Sequence, residues 1–222
     1  MHHFFSEDSP AFAVLSFFTD MVIVSVLWLV CCLPVFTVGA AFSALYYAVT
    51  KALRYKRGYA AREFFRGLKM CFRQSTAAWL LYVLLMAVLM IDLRIMQVSG
   101  GNTASFLQFV FTVIMLCLTV LLIYMLAYIA RFTLPFGGVI RNAALMAVRH
   151  LPWSVILILL IVCPAAGVCL VPPLILIMPA AAAFLDSLIL ERIFRRYMTD
   201  EALRLEEARN HPEQYDNTND FK

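Results

Sequence analysis

The sequence predicts an all-α membrane protein: a polytopic helical bundle of six crossings, or five if residues 12–53 cross once, with two short interfacial amphipathic helices. Three observations carry that class. Hydrophobic residues make up 63% of the 222 and charged residues only 14%, where a soluble domain carries about 25% charged. Several uncharged runs approach the ~20 residues that span a hydrocarbon core. None of them alternates with period two, so the closed barrel, the other solution that satisfies backbone groups in lipid, is disfavoured.

Residues 1–20 are mixed, with Glu7 and Asp8 ahead of Ser9-Pro10, a cap and first-turn pair for a helix entering the interface. The next stretch, Leu33-Pro34-Val35-Phe36-Thr37-Val38-Gly39-Ala40, interrupts uncharged sequence on both sides. Pro34 cannot donate a backbone hydrogen bond and disfavours helix at Leu33, and Gly39 is expected to relax the chain after it. Pro34, Thr37 and Gly39 are thus read as a structural turn. If that turn is tight, 12–53 forms a hairpin of two crossings with the N-terminus inside. If Pro34 merely kinks one helix, the segment crosses once and the N-terminus lies outside. One straight helix would be about 60 Å long, twice the core thickness, which favours the hairpin.

From Lys51 to Arg73 there are eight Lys/Arg and one acid, Glu63. Cytoplasmic loops collect such residues, so the formal charge of +4 points to a membrane surface and not to nucleic acid. Within 61–75, Phe64, Phe65, Leu68, Cys71 and Phe72 follow a helical stripe, with Arg62, Arg66, Lys69 and Arg73 on the other side. An interfacial helix is expected there, its basic face docking on anionic lipid of the cytoplasmic leaflet or on a soluble partner.

A span from Thr76 to Met96 follows, with Asp92 and Arg94 near its outer end, two residues apart and so not on one face. They either snorkel outward or meet a polar ligand. Ser99 to Thr103 is an outer turn, and Phe106 to Ala130 spans back to Arg131. Pro135 to Gly138 turns, and Val139 to His150, with Arg141 and Arg149, reads as the second interfacial helix. The next span opens at Trp153 and ends at Cys169. Pro172-Pro173 turns the chain, and Leu174 to Leu190 is the last span, followed by Glu191, Arg192, Arg195 and Arg196. The order of interfacial helix, Trp-bearing span, turn and returning span thus occurs at 61–131 and again at 137–197. Residues 1–198 form one membrane domain. Residues 199–222 are a polar cytoplasmic tail, partly disordered by composition.

Asp186 is the most costly charge, inside a span, and so a candidate intramembrane site together with Asp92 and Arg94, unless an inner-side arginine such as Arg192 pairs with it. The start lacks the pattern of a cleavable signal peptide. Six cysteines show no CxxC or Cys/His spacing, which suits small apolar residues in the bundle. There is no Ser/His/Asp set, HExxH, P-loop or dinucleotide turn. The expectation is a protein that is not an enzyme and holds no cofactor or metal.

The text of residues 33–47, Leu-Pro-Val-Phe-Thr-Val-Gly-Ala-Ala…Ala-Leu-Tyr-Tyr, resembles the YesL family, also called DUF624, bacterial integral membrane proteins of unknown function. Ser9-Pro10, Asp20, Phe64-Phe65…Phe72-Arg73-Gln74 before Trp79, and Arg149-His150-Leu151-Pro152 extend the similarity over about 5–200. The resemblance implies a bacterial cell membrane and, because such proteins are often encoded beside carbohydrate ABC-importer components, an accessory role in sugar uptake. It supplies no catalytic residues. Three functions stay open: an accessory or regulatory subunit docking on an importer; a small transporter using Asp186, Asp92 and the break at Pro34; and an ABC permease-like subunit. The last rests on a helix from Asn142 to Pro152 similar to an ATPase-docking loop, though it is too short and lacks that loop's glycine.

Overall fold

The computed structural model describes residues 10–55, 59–99, 102–132 and 134–197. Ser9 and the tail from 199 lie outside the described residues, as does Glu7. Among the described residues seven α-helices follow one another: α1 Pro10–Cys32, α2 Val38–Ala48, α3 Ala60–Ser99, α4 Asn102–Arg131, α5 Phe136–Arg149, α6 Leu151–Leu170 and α7 Met178–Arg195. Among the described residues there is no strand. Five segments of the described residues are long and apolar enough to cross a membrane: Val14–Cys32, Val35–Arg54, Ala60–Gln97, Ser105–Arg131 and Leu151–Val168. The chain is an all-helical, multi-pass membrane protein.

The stretch at 33–37 is a hairpin turn and not a kink. Pro34 is extended (φ −78°, ψ 115°), and a single 3-10 turn, Val35–Thr37, leads into α2. The Thr37 hydroxyl lies 2.6 Å from the Cys31 carbonyl oxygen and 2.7 Å from that of Pro34, closing the end of α1 that proline leaves open. The two helices then run side by side, with Met21 and Val24 packed in one buried cluster with Val49, Ala52 and Leu53. Gly39 plays a different part from the one expected. It sits inside α2, and a Cβ there would stand 2.4 Å from Trp79 Cβ and 2.6 Å from the Ser75 carbonyl oxygen. Its role is close approach of α2 to α3.

α2 continues as a wider π-helical turn, Val49–Arg54. Such turns re-aim side chains, and here Arg54 reaches α7, donating from Nη1 to the Ser187 carbonyl at 2.9 Å.

The expected separate helix over 61–75 is corrected: it is the first part of α3, one helix of 40 residues, about 60 Å long. Between Pro34 and Pro135 the chain has no proline, so nothing forces a break. Gly67 is held against the Tyr47 ring, whose Cδ1 would lie 2.9 Å from an added Cβ. Ser75 is buried with its hydroxyl 2.7 Å from that of Ser43, which donates to the Leu126 carbonyl at 3.0 Å. The apolar stripe divides accordingly: Phe64 and Cys71 are buried against the bundle, whereas Phe65 and Phe72 are exposed. The second amphipathic helix does form, as α5, burying Val139, Ala143, Met146 and Ala147. It is cut from α6 at His150 (φ −118°, ψ 41°), just ahead of Pro152. The two halves therefore differ where they were expected to echo each other: the first has one long helix and the second has two.

The last expected span, Leu174 to Leu190, is built from the 3-10 turn Pro172–Leu176 and from α7. Asp186, Glu191, Arg192 and Arg195 leave α7 outside the set of helices apolar enough to cross. It nevertheless returns the chain to the end where α4 finishes: Leu190, Ile193 and Phe194 join the buried cluster of Tyr128, Ile129 and Ala130. Its acids Asp186 and Glu191 are buried against protein, while Arg192 and Arg195 are exposed.

Candidate functional site

At that shared end, α7 meets the ends of α2 and α4 in a buried polar cluster. Glu191 is fully buried and Arg131 nearly so. Arg131 donates from Nη1 to Glu191 Oε1, and the Tyr55 hydroxyl lies 3.4 Å from Oε2. The guanidinium also lies over the rings of Phe132 and Phe194, 5.6 and 5.9 Å from their centroids. A buried ion pair needs this density of additional partners to offset desolvation.

One turn before Leu190, Asp186 stands apart. It is 7% exposed, and its Oδ1 has no hydrogen-bond partner. The pairing with Arg192 or another inner-side arginine does not form; the acid that found an arginine is Glu191. Asp186 instead lines a cavity of about 510 Å³ between α1, α2, α3, α4, α6 and α7. The walls are mostly aliphatic and aromatic. Trp28 and Phe42 meet edge to face, with ring centroids 5.1 Å apart, and Trp79 lies 5.7 Å from Tyr82. Pro164, inside α6, and Pro179, at the start of α7, also face the space.

The remaining predicted residues are distributed as follows. Asp92 is half-buried and Arg94 exposed on the last turns of α3; neither lines the cavity, so the structure does not bring them to Asp186. Arg62, Arg66, Lys69 and Arg73 are all exposed on the first half of α3, with Arg66 3.5 Å from Glu63 and Phe65, Met70 and Phe72 exposed beside them. Pro34 and Thr37 form the turn, which Trp79 fastens to α3 by donating from Nε1 to the Val35 carbonyl at 2.8 Å, while Gly39 lies beyond it inside α2.

Reading the residues in order missed the Arg131–Glu191 pair. The available signal was Glu191 beside Arg192 and Arg195 near the end of the last helix, with Arg131 as the sole charge of α4 at that helix's own end. The cavity left no local signal, because its lining comes from six helices.

Residues 21–93 match the family model described as a protein of unknown function, DUF624. The match covers the hairpin from Met21 onward, its turn and most of α3, the elements that Thr37, Gly39 and Trp79 lock together. No curated protein and no solved structure matches the chain.

Proposed function

We propose that this chain, a DUF624 family member over residues 21–93, is an accessory or regulatory membrane protein that docks on a partner through the basic face of α3, the partner being a carbohydrate ABC importer of a bacterial cell membrane. The observation that carries the reading is the exposure of Arg62, Arg66, Lys69 and Arg73 beside Phe65, Met70 and Phe72 on a helix continuous with a span. Exposed lysines and arginines are costly in hydrocarbon, so this part of α3 belongs in the headgroup region or beyond it. There, four cations and three large apolar groups suit a partner or an anionic lipid surface. The Lys/Arg excess makes this end the cytoplasmic one. The importer association comes from the family resemblance.

Replacing Arg62, Arg66, Lys69 and Arg73 by Gln tests the reading, since each cation contributes about 1 kcal/mol near an anionic surface. The expected result is loss of co-purification with importer subunits from membranes, with the variant still folded. Undiminished co-purification, or no importer subunit captured by the unaltered chain, overturns it. A small transporter is the second reading, favoured by the buried, unpartnered Asp186 at a cavity.

A further inference from the structure

We infer that the cavity bounded by α1, α2, α3, α4, α6 and α7 is a binding site for a lipophilic amine, an apolar body whose ammonium sits on Asp186. Three groups on its lining residues carry the inference: the Trp28 Nε1 donor, the Tyr46 hydroxyl and Asp186 Oδ1 are each buried without a hydrogen-bond partner. Buried polar groups in finished structures are almost always partnered, and an exception calls for an explanation. Here three exceptions lie on residues of one cavity.

The other hydroxyls of the wall are already engaged. Thr119 donates to the Met115 carbonyl at 2.9 Å, and the Tyr82 hydroxyl lies 3.0 Å from Thr119 Oγ1. What stays unpartnered on these lining residues is an acceptor, a donor and a group able to be either, the last, the Tyr46 hydroxyl, lying toward the Arg131–Glu191 pair. Ordered water needs two to four polar partners at each position, which this lining supplies poorly.

A ligand of matching chemistry fits better. About 510 Å³ falls within the range of small-molecule sites, which are apolar with a few placed polar groups. An ionised carboxylate only accepts hydrogen bonds and is costly to bury unpaired, so the group opposite Asp186 must donate, best as a cation. The rings of Trp28, Phe42, Tyr46, Trp79 and Tyr82 offer faces that attract an ammonium and its adjoining methylenes. A sugar is excluded as the preferred occupant, since its hydroxyls would outnumber the free partners several-fold. The inference does not rest on what docks at α3.

The test uses the full chain in nanodiscs of zwitterionic phospholipid, with Trp153→Phe leaving two tryptophans, both on the cavity. The probes are ω-bromododecylamine, ω-bromododecanoate and bromododecane, each quenching tryptophan fluorescence where its tail is held. The amine is expected to quench at about tenfold lower concentration than the other two, the magnitude of one hydrogen bond to a charged group. Asp186→Asn should remove that preference and Asp92→Asn should keep it. Equal quenching by all three probes, or a preference that survives Asp186→Asn, overturns the proposal. Should Asp186→Asn not fold, Ala182→Leu serves instead: it fills the cavity and leaves the carboxylate, and undiminished quenching by the amine places the probe elsewhere and overturns the proposal equally.

Discussion

Glu191 and Asp186 are carboxylates on one helix, and their surroundings separate them. Glu191 is tied to Arg131 and faces Tyr55, so it holds three elements together. Removing one partner of such a pair leaves a charge buried and unmatched, which costs about 3–5 kcal/mol. Glu191→Ala should therefore lower the melting temperature in detergent sharply. The double change Arg131→Met with Glu191→Leu should recover most of the loss, since it removes both charges at similar volume. A double variant as unstable as the single one would show that the pair is not what holds α7 to α4. Asp186 carries no such coupling, and Asp186→Asn should melt close to the unaltered chain. The sequence marks Asp186 as the odd charge in a span; it does not mark Glu191, which reads as the first residue of a basic exit and becomes a core residue only because Arg131 lies opposite.

At the scale of elements, the hairpin and its turn were legible because proline acts locally, whereas the close approach that Gly39 serves was not. Pro34 removes a donor, Thr37 replaces what is lost, and the break follows whatever packs around it. The end of the helix at 75 was not legible, because no breaker separates Ala60 from Ser99 and amphipathic pattern alone does not end a helix. What the pattern recorded was a change of surroundings, from a half packed on α2 to a half where Leu80, Leu84, Ile91 and Ile95 are exposed. Gly39 is the joint between those halves. Alanine gains up to about 1 kcal/mol over glycine in a helix, so Gly39→Ala would stabilise if space were free. The added Cβ would instead meet Trp79 Cβ and the Ser75 carbonyl oxygen, neither of which can swing away. Overpacking of this kind costs about 1–3 kcal/mol, and Gly39→Ala should come out destabilised in a thermal melt. Gly137→Ala, with nothing within 4 Å of the new Cβ, should be neutral or slightly stabilised.

Across the whole molecule, the position of the charges predicts which end faces which side. The turn at Val35 is fastened to Trp79, midway along α3, and from there α3 continues about 30 Å further to Ser99. The hairpin therefore enters from the end that carries Arg54, Arg131 and the basic face of α3, and returns to it; Met21 packing with Val49 and Leu53 fixes that reversal. Both ends of the hairpin thus lie at the same end of the bundle. Single cysteines at Glu7 and Tyr59 should then be shielded from a membrane-impermeant maleimide in intact cells. One at Asn102, beyond the far end of α3, should react. α7 completes the pattern, since its last turns pack on Tyr128 and Phe194 stacks edge-on to Phe132, so a cysteine at Arg196 should be shielded as well. Labelling at Glu7 with protection at Tyr59 would mean that the first segment crosses once and that the buried contacts between α1 and α2 are not those of the folded protein. Labelling at Arg196 alone would leave the hairpin intact and detach α7 from the Arg131 cluster, a result that Glu191→Ala should then reproduce in reverse by leaving stability unchanged.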